Sequence, residues 1–154
     1  MRNFNNKGIT IIALVITIIV TMILIATAVE IGTSQINKAK LEDLKTTMLL
    51  IKGRVQVIVE KNEFGDSFDD TGMLAYADAT EYVANIPADL ASQLVDTSNL
   101  YIWEQTAMDN NNIDVDITEE EFFIIDYNTK EIYYSLGFYY DHSLCYSLTE
   151  LQGL

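Results

Sequence analysis

The stretch GITIIALVITIIVTMILIATAV, residues 8–29, contains no charged residue and decides the architecture of this chain. As a helix with a rise of about 1.5 Å per residue, residues 9–29 would extend over roughly 32 Å. That length matches the hydrocarbon core of a bilayer, which is about 30 Å thick. Threonine is compatible with this setting, because a helical threonine can donate its hydroxyl hydrogen to a carbonyl one turn back. The sequence therefore predicts a transmembrane helix over residues 9–29.

A single apolar helix near an amino terminus has three interpretations: a cleaved secretory signal, a signal anchor that is kept, and a segment that is processed at its start. The tripeptide Ala26-Thr27-Ala28 offers a secretory cleavage site of the A-x-A type. The apolar core of a secretory signal is only about 7–15 residues long. The run before Ala26 is longer than that, which favours the other two interpretations.

A basic residue and a glycine stand directly before the apolar run. The stretch KGITIIALVITIIV, residues 7–20, resembles the prepilin signature of the type IV pilin-like and pseudopilin family in its Gram-positive form. The resemblance implies that a prepilin peptidase cuts after Gly8 and methylates the new amino terminus at Ile9. Residues 1–8 would then be a leader peptide.

The chain departs from the family at Ala13, where the fifth position after the cut is usually glutamate. The resemblance implies that this glutamate neutralises the amino terminus of a neighbouring subunit. Without it, packing of the Ile, Leu and Val surface must hold the helices together. Weak interhelical hydrogen bonds can be supplied by Thr10, Thr17 and Thr21. We therefore expect either a minor or tip subunit, or an assembly system that solves this problem differently.

The helix is predicted to continue as an amphipathic segment over residues 30–61, which contain no proline. Apolar residues recur there at spacings of three and four, as on one face of a helix. These residues are Leu41, Leu44, Met48, Ile51, Val55 and Ile58. The stripe is predicted to cover one face of a sheet, with Gly53 marking a close contact or a bend. The alternative is a coiled-coil stalk, although the repeat covers fewer than three heptads.

Charge divides the chain at the end of this segment. Residues 1–61 hold eight of the nine basic residues and four acidic ones, a net charge of +4. Residues 62–154 hold 19 acidic residues and one lysine, Lys130, a net charge of −18. The acidic part is predicted to be a globular head, because apolar and aromatic residues are spread through it. Such a surface excludes direct binding of nucleic acid, whose phosphates require a basic face.

The pattern within the head predicts short helices followed by antiparallel strands. Helices are predicted over 73–85 and from Pro87, a strand over 100–103, one helical turn over 105–109, and two hairpins with strands over 122–127, 131–135, 138–140 and 144–147. The string FFIIDYNTKEIYYSLGFYYD, residues 122–141, resembles the C-terminal sheet of pilin-like proteins. The predicted fold class is therefore α+β, with a long N-terminal helix packed on a small antiparallel β-sheet head.

Residues suited to catalysis are few. His142 and Cys145 lie three positions apart, whereas a zinc site needs about four ligands. A Cys-His nucleophile pair also needs an orienting group that a tight hairpin does not supply. We interpret them as a surface histidine and a partly buried cysteine, and we expect no enzyme activity. One cysteine cannot form an internal disulfide, so packing and strand pairing must stabilise the head.

One loop has the spacing of a calcium site. Oxygen-bearing side chains fall at positions 1, 3, 5, 7 and 12 of an EF-hand-like loop. They are Asn110, Asn112, Asp114, Asp116 and Glu121. Val115 stands where the loop needs glycine, and the first ligand is asparagine rather than aspartate. We favour a solvated acidic loop, keep calcium as the alternative, and predict no other metal or cofactor.

These patterns together predict a structural subunit, a pilin or pseudopilin, of a type IV filament or a type II secretion-like assembly system. The expected partners are the membrane, like or related pilin subunits, a prepilin peptidase and an assembly platform protein. We expect a single-pass membrane protein with its head outside the cell, and a cell-surface filament after assembly. The first alternative is a signal-anchored protein that never polymerises and displays an acidic binding head. The second is a soluble binding protein secreted after cleavage at Ala28.

Overall fold

The computed structural model describes residues 6–65, 72–140 and 142–154, and only the backbone at 6–10, 12 and 26–34. The chain divides into two compact units, Met1–Lys40 and Leu41–Leu154, which we describe separately. Helix α1 runs from Asn6 to Glu63 and supplies residues to both units. Residues 41–63 therefore belong to the same compact unit as the head.

In the described part of the chain, nine further elements follow α1. They are β1 (Leu74–Ala75), α2 (Thr80–Ala84), α3 (Ala88–Ala91), β2 (Leu100–Trp103), α4 (Gln105–Asn110), β3 (Phe123–Asp126), β4 (Glu131–Tyr140), β5 (Ser143–Ser147) and α5 (Leu148–Gln152). The strands form one five-stranded sheet in the order β1-β2-β3-β4-β5, and every neighbouring pair is antiparallel. The predicted α+β class with an antiparallel sheet is confirmed.

The two faces of the sheet carry separate apolar clusters because successive strand residues point to opposite sides. On β3, Phe123 and Ile125 belong to the cluster that contains residues of α1. Ile124, between them, belongs to the cluster that contains Leu90 of α3. The central strands are thus buried on both faces, and the sheet lies between α1 on one side and the 76–94 segment on the other.

The stripe predicted on α1 is buried against the sheet. Five of its six residues are at most 5% exposed, namely Leu41, Met48, Ile51, Val55 and Ile58. Leu44 is partly buried against the same cluster. A hydrogen bond of 3.0 Å from the Arg54 Nε to the Asn111 Oδ1 also joins α1 to the end of α4. The stripe that a coiled-coil stalk would need is therefore occupied by the chain's own head.

The helix predicted over 73–85 is wrong in its first half. Leu74 pairs with Ile102 and Ala75 with Tyr101, so this segment adds β1 to the edge of the sheet. The backbone N–H of Tyr76 continues the pairing with a 2.9 Å hydrogen bond to the carbonyl of Leu100. Only α2 remains helical, because pairing with a distant strand overrides local helix propensity.

The two strands predicted over 131–135 and 138–140 are one strand, β4, with an irregular register between Tyr133 and Phe138. Gly137 lies within this irregularity with a φ of +66°, a conformation that side-chain-bearing residues rarely adopt. A Cβ at Gly137 would lie 2.8 Å from the Cε1 of Tyr146. Glycine therefore lets one strand bend past the Tyr146 ring, where the sequence pattern indicated a break.

Helix α5 was not predicted, although its start has a recognisable sequence signature. The N–H of Glu150 donates to the Ser147 Oγ at 3.1 Å, and the N–H of Ser147 donates to the Glu150 Oε2 at 3.1 Å. This reciprocal pair is a capping box, which a serine followed three residues later by a glutamate predicts. Leu148 and Leu151 are fully buried and close the α1 side of the core.

Candidate functional site

The apolar part of α1 presents an exposed apolar surface. Every large apolar side chain described there is exposed, from 47% at Ile18 to 66% at Met22. These residues are Ile11, Leu14, Val15, Ile16, Ile18, Ile19, Val20, Met22, Ile23, Leu24 and Ile25. Consecutive positions point about 100° apart, so this surface surrounds the helix. A helix that is apolar all round belongs in the core of a protein or in a membrane.

Two of the threonines in this surface are satisfied within the helix. The hydroxyl of Thr17 donates to the carbonyl of Leu14 at 2.7 Å, and that of Thr21 donates to the carbonyl of Thr17 at 2.6 Å. The expected bond to a carbonyl one turn back is therefore confirmed at both positions. Their hydroxyl hydrogens are already used, so an interhelical bond would use the oxygen as acceptor. The side chain of Thr10 lies outside the described residues.

The residues of the predicted processing site lie at the start of α1. Gly8 and Ile9 follow the first helical residue, Asn6, by two and three positions. The first four N–H groups of a helix have no partner within it. Unwinding the first turn to present the Gly8–Ile9 peptide bond to a protease therefore breaks few hydrogen bonds. Ala13 is exposed one turn later, and the Ile9 side chain lies outside the described residues.

The predicted membrane span, 9–29, includes side chains outside the described set. When only the described residues are counted, no helix is both long enough and apolar enough to cross a membrane.

The head carries an open cleft of about 850 Å³, and its lining includes Tyr82 and Phe122 from the apolar cluster on the side of the sheet away from α1. Tyr82, Pro87, Phe122, Ile117 and Leu136 give it apolar walls. Its lining also includes five glutamates, namely Glu81, Glu104, Glu119, Glu120 and Glu121. The cleft therefore combines apolar walls with a strongly acidic rim, a pairing that suits a partner with apolar and basic groups.

Two tyrosines hold two of these glutamates in place. The Tyr82 hydroxyl donates to the Glu104 Oε2 at 2.6 Å, and the Tyr134 hydroxyl donates to the Glu121 Oε1. The hydrogen bond to Glu104, with burial and nearby carboxylate charge, raises the pKa of Tyr82 to about 12. Burial, followed by the bond to Glu121, raises the pKa of Tyr134. Burial acts to raise the pKa of Glu121, but hydrogen bonds from Tyr134 and Thr118 outweigh it and lower that pKa.

The Tyr82 bond predicts a loss of stability at alkaline pH. The folded state binds the phenol proton more tightly than the unfolded state, whose pKa is about 10. The stabilisation is therefore complete below about pH 10 and is lost as the pH rises towards 12. We expect the denaturant midpoint to fall across this range, and to fall less steeply in Tyr82→Phe. Equal slopes for the two proteins would contradict the assigned bond.

The five residues of the candidate calcium loop lie in a turn, on the surface and in hydrogen bonds within the head. Asn110 ends α4, Asn112 has a φ of 56°, and Asp114 and Asp116 are exposed. Glu121 accepts hydrogen bonds from Tyr134 and from the N–H of Thr118. In the described part of the chain, no three His, Cys, Asp or Glu side chains are grouped to hold a metal ion. Asp114, Asp116 and Glu121 therefore do not converge on one point.

Gln105 holds the same loop. Its side-chain amide donates to the Asp109 Oδ1 at 2.8 Å and to the carbonyl of Val115 at 3.1 Å. Its carbonyl oxygen accepts from the N–H of Ile117 at 2.9 Å. A neutral side chain thus fixes the loop where the calcium alternative would use an ion.

His142 lies in the tight β4–β5 turn, and Cys145 lies in β5. His142 is exposed and has a φ of 66°, which suits the turn. Cys145 is buried, with 8% of its surface exposed. Burial, followed by the nearby charge of Glu150, raises the pKa of its thiol. A raised pKa keeps the thiol protonated and weakly nucleophilic, so this cysteine is a packing residue.

Sequence reasoning missed the cleft, because its lining comes from four separate segments of the chain, 81–87, 104–105, 117–122 and 135–136. The single local signal is the run Glu119-Glu120-Glu121. No periodicity reveals that Tyr82 and Glu104 would lie beside that run.

Comparisons of the chain with protein-family models, with curated proteins and with solved structures find no match.

Proposed function

We propose that this chain is a prepilin-like subunit of a type IV filament or a type II secretion-like assembly system. The subunit is stored in the membrane through the apolar part of α1 and polymerises through the same helix. The observation that carries the proposal is the apolar surface that surrounds α1 between Ile11 and Ile25.

The energetic argument starts from that surface. Complete burial of a side chain such as Leu or Ile is worth about 1.5–3 kcal/mol. Eleven such side chains are exposed by about half or more. Because a water-facing helix of this kind is strongly unfavourable, lipid or other apolar helices must cover it. A bilayer before assembly and a helix bundle after assembly both meet this requirement.

The head supports a role at a filament surface. Its sheet carries apolar clusters on both faces, and residues 41–58 of α1 complete one of them. Its −18 net charge over residues 62–154 favours solubility in water and mutual repulsion of free subunits. An apolar helix inside and an acidic head outside give the two zones of a filament.

Ala13 bears on the position of this subunit within the filament. A carboxylate at a bilayer centre costs about 2.5–3.5 kcal/mol on insertion scales, so it is retained where it finds a partner. The side chain at position 13 is a methyl group and needs no such partner. A subunit at the filament tip, or one of low abundance, fits this arrangement best.

The mature amino terminus is the first test. In cells that express a prepilin peptidase, we expect the chain to begin at Ile9 and to carry one N-methyl group. Intact-mass analysis of the membrane-bound protein measures both features. The matched control is Gly8→Val, which should keep residues 1–8, because a bulky β-branched residue replaces the small one before the cut.

A mature chain that begins at Val29 would overturn the proposal and support secretion of a soluble protein. Quantitative mass spectrometry of sheared surface filaments distinguishes a filament subunit from a signal-anchored protein that never polymerises. A processed subunit appears in the filament fraction, at low abundance for a tip role. A signal-anchored protein stays in the membrane fraction of cells that make filaments.

A further inference from the structure

The acidic cleft of the head contains no positive charge that balances its glutamates. Five of its lining residues are glutamates, and none of the others is lysine, arginine or histidine. Across residues 6–65, 72–140 and 142–154, the one ion pair joins Lys45 to Glu42 on α1, so none of the five carboxylates is paired with a cation. Like charges held in one cleft repel each other. A positively charged group that entered the cleft would relieve this repulsion.

The carboxylates come from three parts of the head. Glu81 lies in α2, Glu104 stands directly before α4, and residues 119–121 precede β3. A ligand with more than one positive charge can therefore meet carboxylates at several points of the cleft. Glu104 and Glu121 are fixed before anything binds, because each accepts a hydrogen bond from a tyrosine hydroxyl. Such preorganisation lowers the entropy cost of binding.

The walls between the carboxylates are apolar and partly aromatic. The rings of Tyr82 and Phe122 lie 5.2 Å apart in an edge-to-face arrangement, and Leu136 is 50% exposed in the same lining. Aromatic rings attract ammonium and guanidinium groups, and the stems of lysine and arginine pack on apolar surface. In the part of the chain that the structure describes, the acidic side chains are not grouped to hold a metal ion. The cleft therefore suits a cation on an apolar stem.

One buried hydroxyl in the lining has a hydrogen that no described residue accepts. Ser135 is 2% exposed, and its Oγ accepts a 3.1 Å hydrogen bond from the N–H of Phe122. A serine hydroxyl can also donate, and buried polar groups in proteins are rarely left unsatisfied. A ligand that brings an acceptor such as a carbonyl oxygen into the cleft would use this hydrogen. Peptides carry one such acceptor at every residue.

We propose that the cleft binds an extended basic segment of a partner protein, in which lysine or arginine alternates with apolar residues. Successive side chains of an extended segment point to opposite sides, so this alternation separates its charges from its apolar groups. The volume of about 850 Å³ admits a few residues of such a segment and lies in the usual range of ligand pockets. The inference goes beyond the proposed function, because the cleft belongs to the head and needs no polymerisation.

Binding of a labelled peptide to the full-length chain tests the site. The chain is held in nanodiscs of phosphatidylcholine, and the probe is a fluorescent, acetylated and amidated hexapeptide in which lysine alternates with leucine. We expect saturable binding of one peptide per chain by fluorescence anisotropy, and empty nanodiscs give the blank. Glu119→Gln with Glu120→Gln should weaken binding about tenfold or more, because two carboxylates of the rim are lost. Both side chains are exposed, so the fold should tolerate the change.

The matched control is Glu60→Gln with Glu63→Gln, which removes the same charge from exposed positions on α1. Neither residue lines the cleft. At about 0.15 M salt, where the Debye length is about 8 Å, we expect this pair to change the affinity by less than about twofold. Equal losses in the two double variants would mean that the peptide senses only the overall negative charge, and would overturn the proposal.

Changes to the ligand test the apolar walls and the other occupants. A peptide with serine in place of leucine should bind about fivefold or more weakly, because the walls lose their apolar partners. Undiminished binding of that peptide would overturn the proposal. So would spermine or Ca²⁺ that displaces the probe at equal concentration, which would assign the cleft to small cations. Self-association of the chain that the probe reverses would assign the cleft to a second copy instead.

The outcomes separate this inference from the proposed function. Loss of the cleft proposal leaves processing at Ile9 and the presence of the chain in filaments unchanged, so the proposed function would stand. Conversely, a chain that is missing from filaments but binds the probe through Glu119 and Glu120 would support the cleft and count against the filament role.

Discussion

A fragment spanning residues 41–154 is expected to fold and remain soluble, whereas one spanning 66–154 is expected to aggregate. The shorter fragment lacks the five α1 side chains that are buried against the sheet. At about 1.5–3 kcal/mol each, their loss is similar in size to the 5–15 kcal/mol that stabilises an ordinary domain. Gel filtration and circular dichroism of the two fragments measure the difference.

The longer fragment is its own matched control, because it lacks the apolar surface between Ile11 and Ile25 and keeps the whole described head unit. Equal solubility and equal stability of the two fragments would mean that α1 contributes nothing to the core. That outcome would favour a head that folds by itself on a separate anchor.

A charge placed at Ile51 is expected to unfold the head, whereas the same charge at Leu50 is expected to be tolerated. Ile51 is fully buried and Leu50 is 53% exposed, although they are adjacent on α1. Ile51→Asp loses the burial of isoleucine and places a carboxylate among apolar side chains, so we expect a destabilisation of more than about 4 kcal/mol. Leu50→Asp should change the stability by about 0.5 kcal/mol or less.

Denaturant titration of residues 41–154, at a concentration low enough to prevent association, compares these variants. A cooperative transition with an unchanged midpoint in Ile51→Asp would show that this face of α1 is not part of the core. A large loss in Leu50→Asp would show that the wrong face of the helix has been assigned to the sheet.

Regular periodicity made the central parts of the fold predictable. The alternation of three and four between Leu41 and Ile58 identified the buried face of α1 before any partner was known. Strand β2 has its predicted bounds, and the tight turns before β4 and β5 lie where the hairpins were predicted. In each case the signal is local, since the residues that specify the element are the residues that form it.

The features that were predicted wrongly or not at all are those whose structure depends on residues far away in the sequence. Leu74 and Ala75 form a strand because β2 offers them an edge, and nothing between residues 73 and 79 indicates this. The Tyr82–Glu104 bond joins residues 22 positions apart, so the cleft has no sequence motif. The bonds from Gln105 to Val115 and Ile117 in the acidic loop join residues 10 and 12 positions apart, and no local pattern indicates them either.

The place of α1 in the core has a consequence for the order of events during synthesis. The β3–β4 and β4–β5 pairings join neighbouring segments, so they can form soon after those segments leave the ribosome. The buried stripe of α1 instead shares its cluster with Leu148 and Leu151, which lie 90 or more positions after Ile58. Because chains are made from the amino terminus, the stripe of α1 cannot be fully buried until Leu148 and Leu151, near the end of the chain, have been synthesised. During that interval the stripe has no sheet to pack on, so the α1 face of the core is the last part of the head unit that can be buried.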